Sequence, residues 1–308
     1  LAPVAEELKQ FTIFATCGTP RIFEEAERKY VFRTMGHATA DNVAAAMYVK
    51  EKFPDMKGYT GINQNYAWGQ DSWRDFDLTL QQIMPNTKAS DKTQFPKIFA
   101  GQYGSEISAM SLDKADLIHT SFWGGDLEAF IFQGNARGLF KKKIGVFTVG
   151  GTAAYRLGKK LPNGLVLGAR GPYGILVKDR DSELNQWFIN TYKDIYGIYP
   201  SGPAYQYGQA ILAAKIAYDK AGSDATSEQL ADALRGITFE SFSTTIEMTL
   251  GNGHQAATEN GYGITEYDSE NGENVVKDVK FYPASCVLPP EGQNSVDWIK
   301  GGMKGAKC

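Results

Sequence analysis

Apolar and polar residues alternate along the first part of the chain in a way that predicts strands followed by helices. Short apolar runs predict strands at residues 11–15, 30–33, 58–62, 98–100, 117–121, 144–149 and 165–169. Between them, apolar residues recur every three or four positions and predict helices at 41–53, 68–84, 105–112, 127–135 and 153–157. Strands that alternate with helices at this spacing are typical of βαβ units, in which parallel strands carry helices on both faces.

The pattern changes after residue 169. Residues 168–172 (GARGP) are a candidate crossing between lobes, because 308 residues exceed the size at which one hydrophobic core stops growing. Helices are predicted at 182–196 and 204–221, and a third begins at Thr226. Residues 244–267 predict strands around a Gly251-Asn252-Gly253 turn, and residues 283–308 are expected to be irregular.

Composition narrows the class of protein. The chain has 43% hydrophobic and 22% charged residues, with a net charge of −3, as ordinary globular proteins do. Its one basic run, at 141–143, is interpreted as a solvated turn, so no nucleic-acid partner is expected. No apolar stretch approaches the ~20 residues that span a bilayer, so we expect a soluble protein. The first residues read as the interior of a domain rather than as a signal peptide.

Aromatic residues follow two of the predicted strands. The first of these strands ends in a polar loop that closes on Tyr66, and a helix begins near Trp68; the second strand ends at Phe122 and Trp123. Ligands of open α/β sheets bind at the carboxyl ends of strands. These residues therefore predict the walls of a binding pocket rather than a reaction centre. The alternative is that the tryptophans anchor the core.

Two turns and one further aromatic residue are candidate site elements. Cys17-Gly18-Thr19 offers backbone N–H groups and a hydroxyl that suit an anionic oxygen. Gly150-Gly151 opens a short helix but lacks the motifs of a nucleotide site, so we interpret it as a tight turn or as a place where a ligand meets bare backbone. Tyr207, in an alanine-rich helix, is ambiguous between site and core.

Metal and nucleophile chemistry are not indicated. The three histidines, His37, His119 and His254, are isolated in sequence, and none can be assigned as a base for Cys17. Neither a metal nor a cofactor is predicted. Cys286 and Cys308 are able to pair and leave Cys17 over; three free thiols are the alternative.

Several segments together resemble a known family. The order LAPVAEE, TP, YVFRT, NQNYAWGQ, SFWGGDLEAFIFQGNARGL and YGQAILAAKIAYDKAG is similar to that of the solute-binding proteins of branched-chain-amino-acid-type ABC transporters. The resemblance implies the two-lobed α/β fold of type I periplasmic binding proteins, with a parallel sheet in each lobe. Family members begin with about one more βαβαβ stretch, so the first part of lobe 1 is expected to be missing.

The resemblance also assigns roles to residues. Cys17, Gly18 and Thr19 match the turn that binds the ligand carboxylate. Trp68 and Trp123 match aromatic positions of the second lobe, and Tyr207 matches one of the first. Gly150 and Gly151 stand where amino-acid-binding members carry an acidic partner for the ligand's ammonium group. A desolvated ammonium without that partner costs several kcal/mol. Unless Asp126 or a residue of the missing part supplies the charge, an aromatic or aliphatic carboxylate, or a short amide, fits better than an amino acid.

The expected lobes are residues 1–54 with 172–243, and 55–171 with 244–282. The expected function is capture of a small organic ligand by hinge closure, followed by delivery to an ABC permease. The protein is expected to be a non-enzymatic monomer in the periplasm, or extracellular and tethered to the membrane. A sensor domain of the same fold and a nucleotide-dependent α/β enzyme are the alternatives.

Overall fold

The computed structural model describes all 308 residues, which fold around two β-sheets. The helices are Ala2–Glu7 (α1), Arg21–Glu24 (α2), Ala38–Lys52 (α3), Ala67–Ile83 (α4), Gly104–Leu112 (α5), Gly124–Ala136 (α6), Ala154–Leu157 (α7), Glu183–Tyr196 (α8), Gly202–Ala221 (α9), Ser227–Leu234 (α10), Ala284–Val287 (α11) and Ser295–Lys300 (α12). The strands are Thr12–Phe14 (β1), Val31–Arg33 (β2), Gly58–Gly61 (β3), Lys88–Ala89 (β4), Leu117–Thr120 (β5), Ile144–Phe147 (β6), Val166–Gly168 (β7), Thr238–Glu240 (β8), Thr245–Leu250 (β9), Gln255–Ala257 (β10), Asn260–Asp268 (β11) and Glu273–Tyr282 (β12).

The two sheets define two lobes. Lobe 1 is built on five strands in the order β1-β2-β10-β9-β8, and lobe 2 on seven strands in the order β12-β11-β7-β6-β5-β3-β4. The strands from β3 to β7 pair in parallel, as expected, and so do β1, β2 and β10. β8, β9, β11 and β12 pair antiparallel. Both sheets are therefore mixed: the expected parallel strands are joined by antiparallel ones.

The predicted helices form with small shifts at their ends. α3 begins three residues before its predicted start, because the Nδ1 of His37 accepts a hydrogen bond from the N–H of Thr39 and caps the helix. α10 begins with a capping box between Thr226 and Gln229. The strand predicted at 98–100 does not form. Phe99 has a φ of 61° there, and that left-handed conformation is incompatible with an extended strand.

Lobe 2 carries the larger hydrophobic core. α3, α4, α11 and α12 pack on one face of its sheet in a cluster of 23 buried residues. α5 and α6 cover the other face in a cluster of 25, which also takes in residues of the segment 173–242, among them Ile189 of α8, Tyr205 of α9 and Phe242. A separate cluster of 11 residues joins α9 and α10 to the lobe 1 sheet. Since burial of apolar surface is the main stabilising term in folding, lobe 2 holds most of that stabilisation.

The packing differs from the expected lobe boundaries at two places. α3, expected in lobe 1, packs against Val146, Val166 and Tyr262 of the lobe 2 sheet. β9 and β10, expected in lobe 2, belong to the lobe 1 sheet. We therefore propose that the chain crosses between lobes near residues 34–37, 169–172 and 258–260. Periodicity alone gives the elements but does not say which sheet each element joins.

The C-terminal segment is more ordered than its Pro and Gly content predicts. It contains α11 and α12, and Val287, Trp298 and Ile299 are buried in the lobe 2 core. A disulfide joins Cys286 to Cys308, while Cys17 is free. Of the two predicted cysteine states, the paired one is therefore present. No helix has the length and apolar character needed to cross a membrane.

Candidate functional site

The turn that follows β1 reaches across to lobe 2. Gly18 is buried, and a Cβ added to it would lie 2.3 Å from ring carbons of Trp68 and 2.5 Å from Nη2 of Arg170. No side chain fits in that space, so glycine lets the backbone approach the indole ring directly. The carbonyl of Gly18 accepts a hydrogen bond from the N–H of Ala38 at 2.7 Å, which ties the turn to the start of α3.

Two buried arginines hold the carbonyl groups of this turn. Nη1 of Arg33 donates to the carbonyls of Cys17 at 2.9 Å and of Thr19 at 2.7 Å. Nη1 of Arg170 donates to the carbonyl of Thr16 at 2.9 Å. With the carbonyls fixed in this way, the N–H groups of residues 17, 18 and 19 donate no hydrogen bond within the protein. These three N–H groups are therefore available as donors to a group from outside the protein.

The hydroxyl of Thr19 has a different role from the predicted one. It donates to Oδ2 of Asp71 in α4 at 2.6 Å, and Arg21 binds Oδ1 of the same carboxylate through Nε at 3.1 Å and Nη2 at 2.7 Å. Asp71 is fully buried. These bonds join lobe 1 directly to lobe 2, and they use the hydroxyl that the sequence analysis assigned to a ligand.

Trp68 forms the lobe 2 surface opposite the turn. Its indole Nε1 donates to the carbonyl of Ser121 at 2.9 Å, and only 5% of the residue is exposed. The guanidinium of Arg170 lies 4.3 Å from the ring centroid, within the range of a cation–π interaction. The ring is therefore fixed at its edge by a hydrogen bond and on one face by a cation.

Tyr66 and Trp123 extend the same aromatic surface. Nε1 of Trp123 donates to the hydroxyl of Tyr66 at 2.7 Å, and Phe99 packs edge-on against Trp123 with ring centroids 5.7 Å apart. Both residues pack against the small cluster that contains Trp68 and Val149. The structure therefore brings together three of the predicted aromatic residues, Tyr66, Trp68 and Trp123, and places Gly18 against them.

Phe122 lies on the opposite side of its strand from Trp123. It is fully buried in the lobe 2 core, with its ring centroid 5.0 Å from Tyr103 and 5.7 Å from Phe130. The prediction that Phe122 lines a ligand pocket is corrected here. Successive side chains of an extended segment point to opposite faces, so residues 122 and 123 cannot both face the same pocket.

Gly150 and Gly151 pack against β7 and the residue that follows it. A Cβ on Gly150 would lie 2.9 Å from Leu167, and one on Gly151 would lie 2.8 Å from Cβ of Ala169. Both glycines are thus needed for close packing of their turn against β7, which corresponds to the tight-turn interpretation. Tyr207 is 56% exposed on α9, and no hydrogen bond or ring contact joins it to the other predicted residues.

Sequence reasoning missed the charged residues of the site. Nε of Arg170 lies 3.6 Å from Oδ2 of Asp41, and both side chains are almost completely buried. Burial raises the pKa of Asp41 to about 6, although Arg170 opposes this effect. Their positions are 129 residues apart in sequence (170 − 41), so only the fold pairs them. The one available signal was the location of Arg170 inside the GARGP crossing.

A family model described as periplasmic binding protein matches residues 1–273, which is most of the chain. This chain belongs to the periplasmic binding protein family. The match confirms the resemblance read from the order of its segments and agrees with the two-lobed α/β fold. A search of curated proteins finds no significant match.

Solved structures of periplasmic binding proteins share this fold. A solute-binding protein of an ABC transporter from Rhodopseudomonas palustris, in complex with 3,4-dihydroxybenzoic acid, is 19% identical, with a TM-score of 0.77 over 92% of this chain and 75% of that chain. A second R. palustris protein, in complex with 4-hydroxybenzoate, is 16% identical with a TM-score of 0.77 over 92% and 74%. A leucine-binding protein from Thermotoga maritima is 17% identical, with a TM-score of 0.69 over 90% and 75%.

In this periplasmic binding protein, the buried carboxylates near the lobe contact already have partners. Each is bound by an arginine or by amide groups: Asp41 by Arg170 and Asn260, Asp71 by Arg21 and Arg74, Asp75 by Arg74, and Asp126 by Gln64 and the N–H groups of Phe99 and Gly101. Burial alone would raise the pKa of Asp126, but its hydrogen bonds outweigh this and lower it. The contact region therefore offers free donors and no free carboxylate.

Proposed function

We propose that this periplasmic binding protein captures a small organic acid between its lobes. The observation that carries the proposal is the set of free N–H groups at residues 17–19, whose central residue, Gly18, lies against the indole ring of Trp68. A carboxylate would accept hydrogen bonds from this turn. The aromatic surface of Tyr66, Trp68 and Trp123 would cover the apolar part of the same molecule.

The charges of the region favour a carboxylic acid without an amino group over an α-amino acid. The carboxylates near the contact are engaged by other groups, so an α-amino group would be buried without a counter-charge. Removal of an unpaired charge from water costs several kcal/mol. Asp126 is held by Gln64 and two backbone N–H groups, so its carboxylate is not free to pair with an ammonium group. An aromatic carboxylate has no ammonium group and therefore avoids this desolvation cost.

The solved relatives include proteins of both ligand classes. Three from R. palustris are complexes with 3,4-dihydroxybenzoic acid, benzoate and 4-hydroxybenzoate, and one from T. maritima is a leucine-binding protein. The first group supports an aromatic acid as the ligand. The unpaired N–H groups and the absence of a free carboxylate favour an aromatic acid over an amino acid as the ligand.

Binding in this place requires the lobes to move. The ring of Trp68 covers Gly18, and Asp71 is bound by Thr19 and Arg21 across the contact. A ligand would enter when these contacts separate and would be enclosed when the lobes close by hinge motion. The closed, liganded monomer would then be the form that an ABC permease recognises.

The proposed compartment is the periplasm, or the outer surface of the membrane if the protein is tethered. The disulfide between Cys286 and Cys308 supports this proposal, because disulfides persist in oxidising compartments outside the cytoplasm. The family consists of binding proteins, which favours capture and release without chemical change.

Mass spectrometry of the denatured protein tests the proposal. The protein is purified after expression with export to the periplasm, and the small molecules that it releases are identified. We expect one stoichiometric organic acid, recovered unaltered after incubation with the protein. Release of a chemically changed product would favour an enzyme, and recovery of an unmodified amino acid would contradict the proposed ligand class.

A further inference from the structure

A buried chain of hydrogen bonds links the two sides of the proposed solute site. Its side chains are those of Asn42 on α3, Asn63 in the loop after β3, His119 on β5, and Ser121, which follows β5. All four residues are fully buried. The partners of His119 are 77 and 56 residues away in sequence, so no local motif reveals them.

The chain ends at Trp68 on the lobe 2 side. The main-chain N–H and the hydroxyl of Ser121 both donate to Oδ1 of Asn63, at 2.8 and 2.7 Å. The carbonyl of Ser121 in turn accepts the indole N–H of Trp68 at 2.9 Å. Asn63 therefore fixes the residue whose carbonyl holds the edge of the Trp68 ring.

The other end of the chain reaches the turn at residues 17–19. Nδ2 of Asn42 donates to the carbonyl of Ala38 at 2.7 Å, and the N–H of Ala38 donates to the carbonyl of Gly18. Oδ1 of Asn42 is left as the acceptor that lies 2.7 Å from Nε2 of His119. Asn42 thus joins the imidazole ring to the residue that ties down the turn.

His119 connects the two halves of the chain as one neutral tautomer. Because Oδ1 of Asn42 only accepts, the proton of His119 lies on Nε2, and Nδ1 faces Nδ2 of Asn63 at 3.4 Å. Burial lowers the pKa of His119 to about 3, so the ring stays neutral near neutral pH. The ring also stacks on Phe76, with centroids 4.3 Å apart. The imidazole therefore presents one donor and one acceptor in fixed directions.

We propose that His119 and Asn63 are positioning residues of the solute site, which hold the indole ring of Trp68 in place against the Gly18 turn. This inference rests on the proposed function. Buried polar groups add little net stability relative to apolar groups of the same shape, but a fully paired network restricts the core to one arrangement. Neither residue is exposed, so both act through Ser121 and Trp68 and not by contact with the solute.

The indole N–H of Trp68 reports this role without a ligand. In ¹⁵N-labelled protein the five tryptophans each give an indole signal, and that of Trp68 is identified by its loss in Trp68→Phe. His119→Phe keeps an aromatic ring against Phe76 but removes both hydrogen bonds. We expect the Trp68 N–H to exchange with water about tenfold faster in this variant. The N–H of Trp298, which binds the carbonyl of Lys304, should not change.

His254→Phe is the matched control. His254 is also buried, and its ring stacks on Phe32 with centroids 4.3 Å apart. Its Nδ1 lies 3.2 Å from the carbonyl of Val31 in the lobe 1 sheet, and no hydrogen bond links it to Trp68. The Trp68 N–H should therefore exchange at the wild-type rate in His254→Phe. Equal acceleration in His254→Phe and His119→Phe would overturn the proposal, because the effect would then be general loosening of the core.

A conservative variant tests whether the hydrogen bonds themselves matter. In His119→Gln the side-chain amide is able to donate to Asn42 and to accept from Asn63, so slow exchange of the Trp68 N–H should return. The ¹⁵N shifts of the wild-type His119 ring provide a measurement that requires no variant to fold. We expect the proton on Nε2; a proton on Nδ1 would break the chain at Asn42 and contradict the proposal.

Affinity provides the functional test. His119→Phe should weaken binding of 4-hydroxybenzoate about tenfold, as loss of the groups that orient metal ligands does, and His119→Gln should recover most of it. Faster exchange of the Trp68 N–H with unchanged affinity would contradict a role at the solute site. A wild type that binds no aromatic acid would instead contradict the proposed function, while an unchanged Trp68 N–H in His119→Phe would overturn the positioning role alone.

Discussion

The two sides of the lobe contact present different chemical groups. Lobe 1 presents main-chain N–H groups, whose conformation Arg33 and Arg170 fix by binding the carbonyls of the same turn. Lobe 2 presents aromatic rings, which are held at their polar edges by the carbonyl of Ser121 and the hydroxyl of Tyr66. The lobe 1 side suits a charge and the lobe 2 side suits an apolar shape. The contact therefore suits a molecule with a negative charge at one end and an apolar group at the other.

The largest expected effect concerns Arg170, which contacts both sides of the lobe contact. It pairs with Asp41, stacks on Trp68 and holds the carbonyl of Thr16. Arg170→Met leaves Asp41 buried without its cation, so the free energy of unfolding should fall by about 3–5 kcal/mol. Urea unfolding measures this change.

The control for Arg170→Met is Arg156→Met. Arg156 is 56% exposed and pairs with Glu128 on the surface, where ion pairs contribute little. Similar losses in the two variants would contradict the central position given to Arg170.

The next effect concerns the aromatic side. Trp68→Ala should weaken binding of 4-hydroxybenzoate, used as a probe, by about 2 kcal/mol or more, as for a buried aromatic anchor. Fluorescence titration measures the affinity. Trp187→Ala is the control, since Trp187 is 57% exposed on α8, and it should leave the affinity unchanged. Equal affinities in the wild type, Trp68→Ala and Trp187→Ala would mean that Trp68 is a core residue and does not contact the ligand.

A smaller effect tests whether the two sides touch. Gly18→Ala places a Cβ against the Trp68 ring, and overpacking of this kind typically costs about 1–3 kcal/mol. In the Trp68→Ala background the same substitution should cost about 1.5 kcal/mol less, because the obstructing ring is absent. A double-mutant cycle of unfolding free energies gives this difference. A coupling energy near zero would show that residue 18 and the ring do not meet in solution.

The structure brings three of the predicted aromatic residues together, whereas it uses the predicted Thr19 hydroxyl in a bond to Asp71. Tyr66, Trp68 and Trp123 were identified because each residue type carries its own chemistry and each follows a strand. Phe122 was misassigned because successive side chains of an extended segment point to opposite faces, so that only one of Phe122 and Trp123 lies on the aromatic surface. The pairing of Arg170 with Asp41, and of Arg21 with Asp71, joins positions far apart in sequence. No local pattern reports such pairs.

In the fold, too, local features were predicted and long-range packing was not. The periodicity predicted the helices α3 to α10 and the parallel strands β3, β5, β6 and β7, because both depend on local spacing, but it missed α2, α11 and α12. The sheet to which α3, β9 and β10 belong depends on long-range packing, and those assignments differed from the structure. The Pro- and Gly-rich tail looked irregular, yet its few apolar residues, Val287, Trp298 and Ile299, suffice to anchor it on lobe 2.

Calorimetry with matched ligand pairs tests the central claim most directly. Benzoate is compared with phenylalanine, and a branched keto acid with leucine, so that in each pair only the amino acid carries an α-ammonium group. We predict that the acid binds at least about tenfold more tightly in each pair, a difference of ~1.4 kcal/mol, because no carboxylate near the contact is free to pair with an ammonium group. Tighter binding of the amino acid in both pairs would contradict the account.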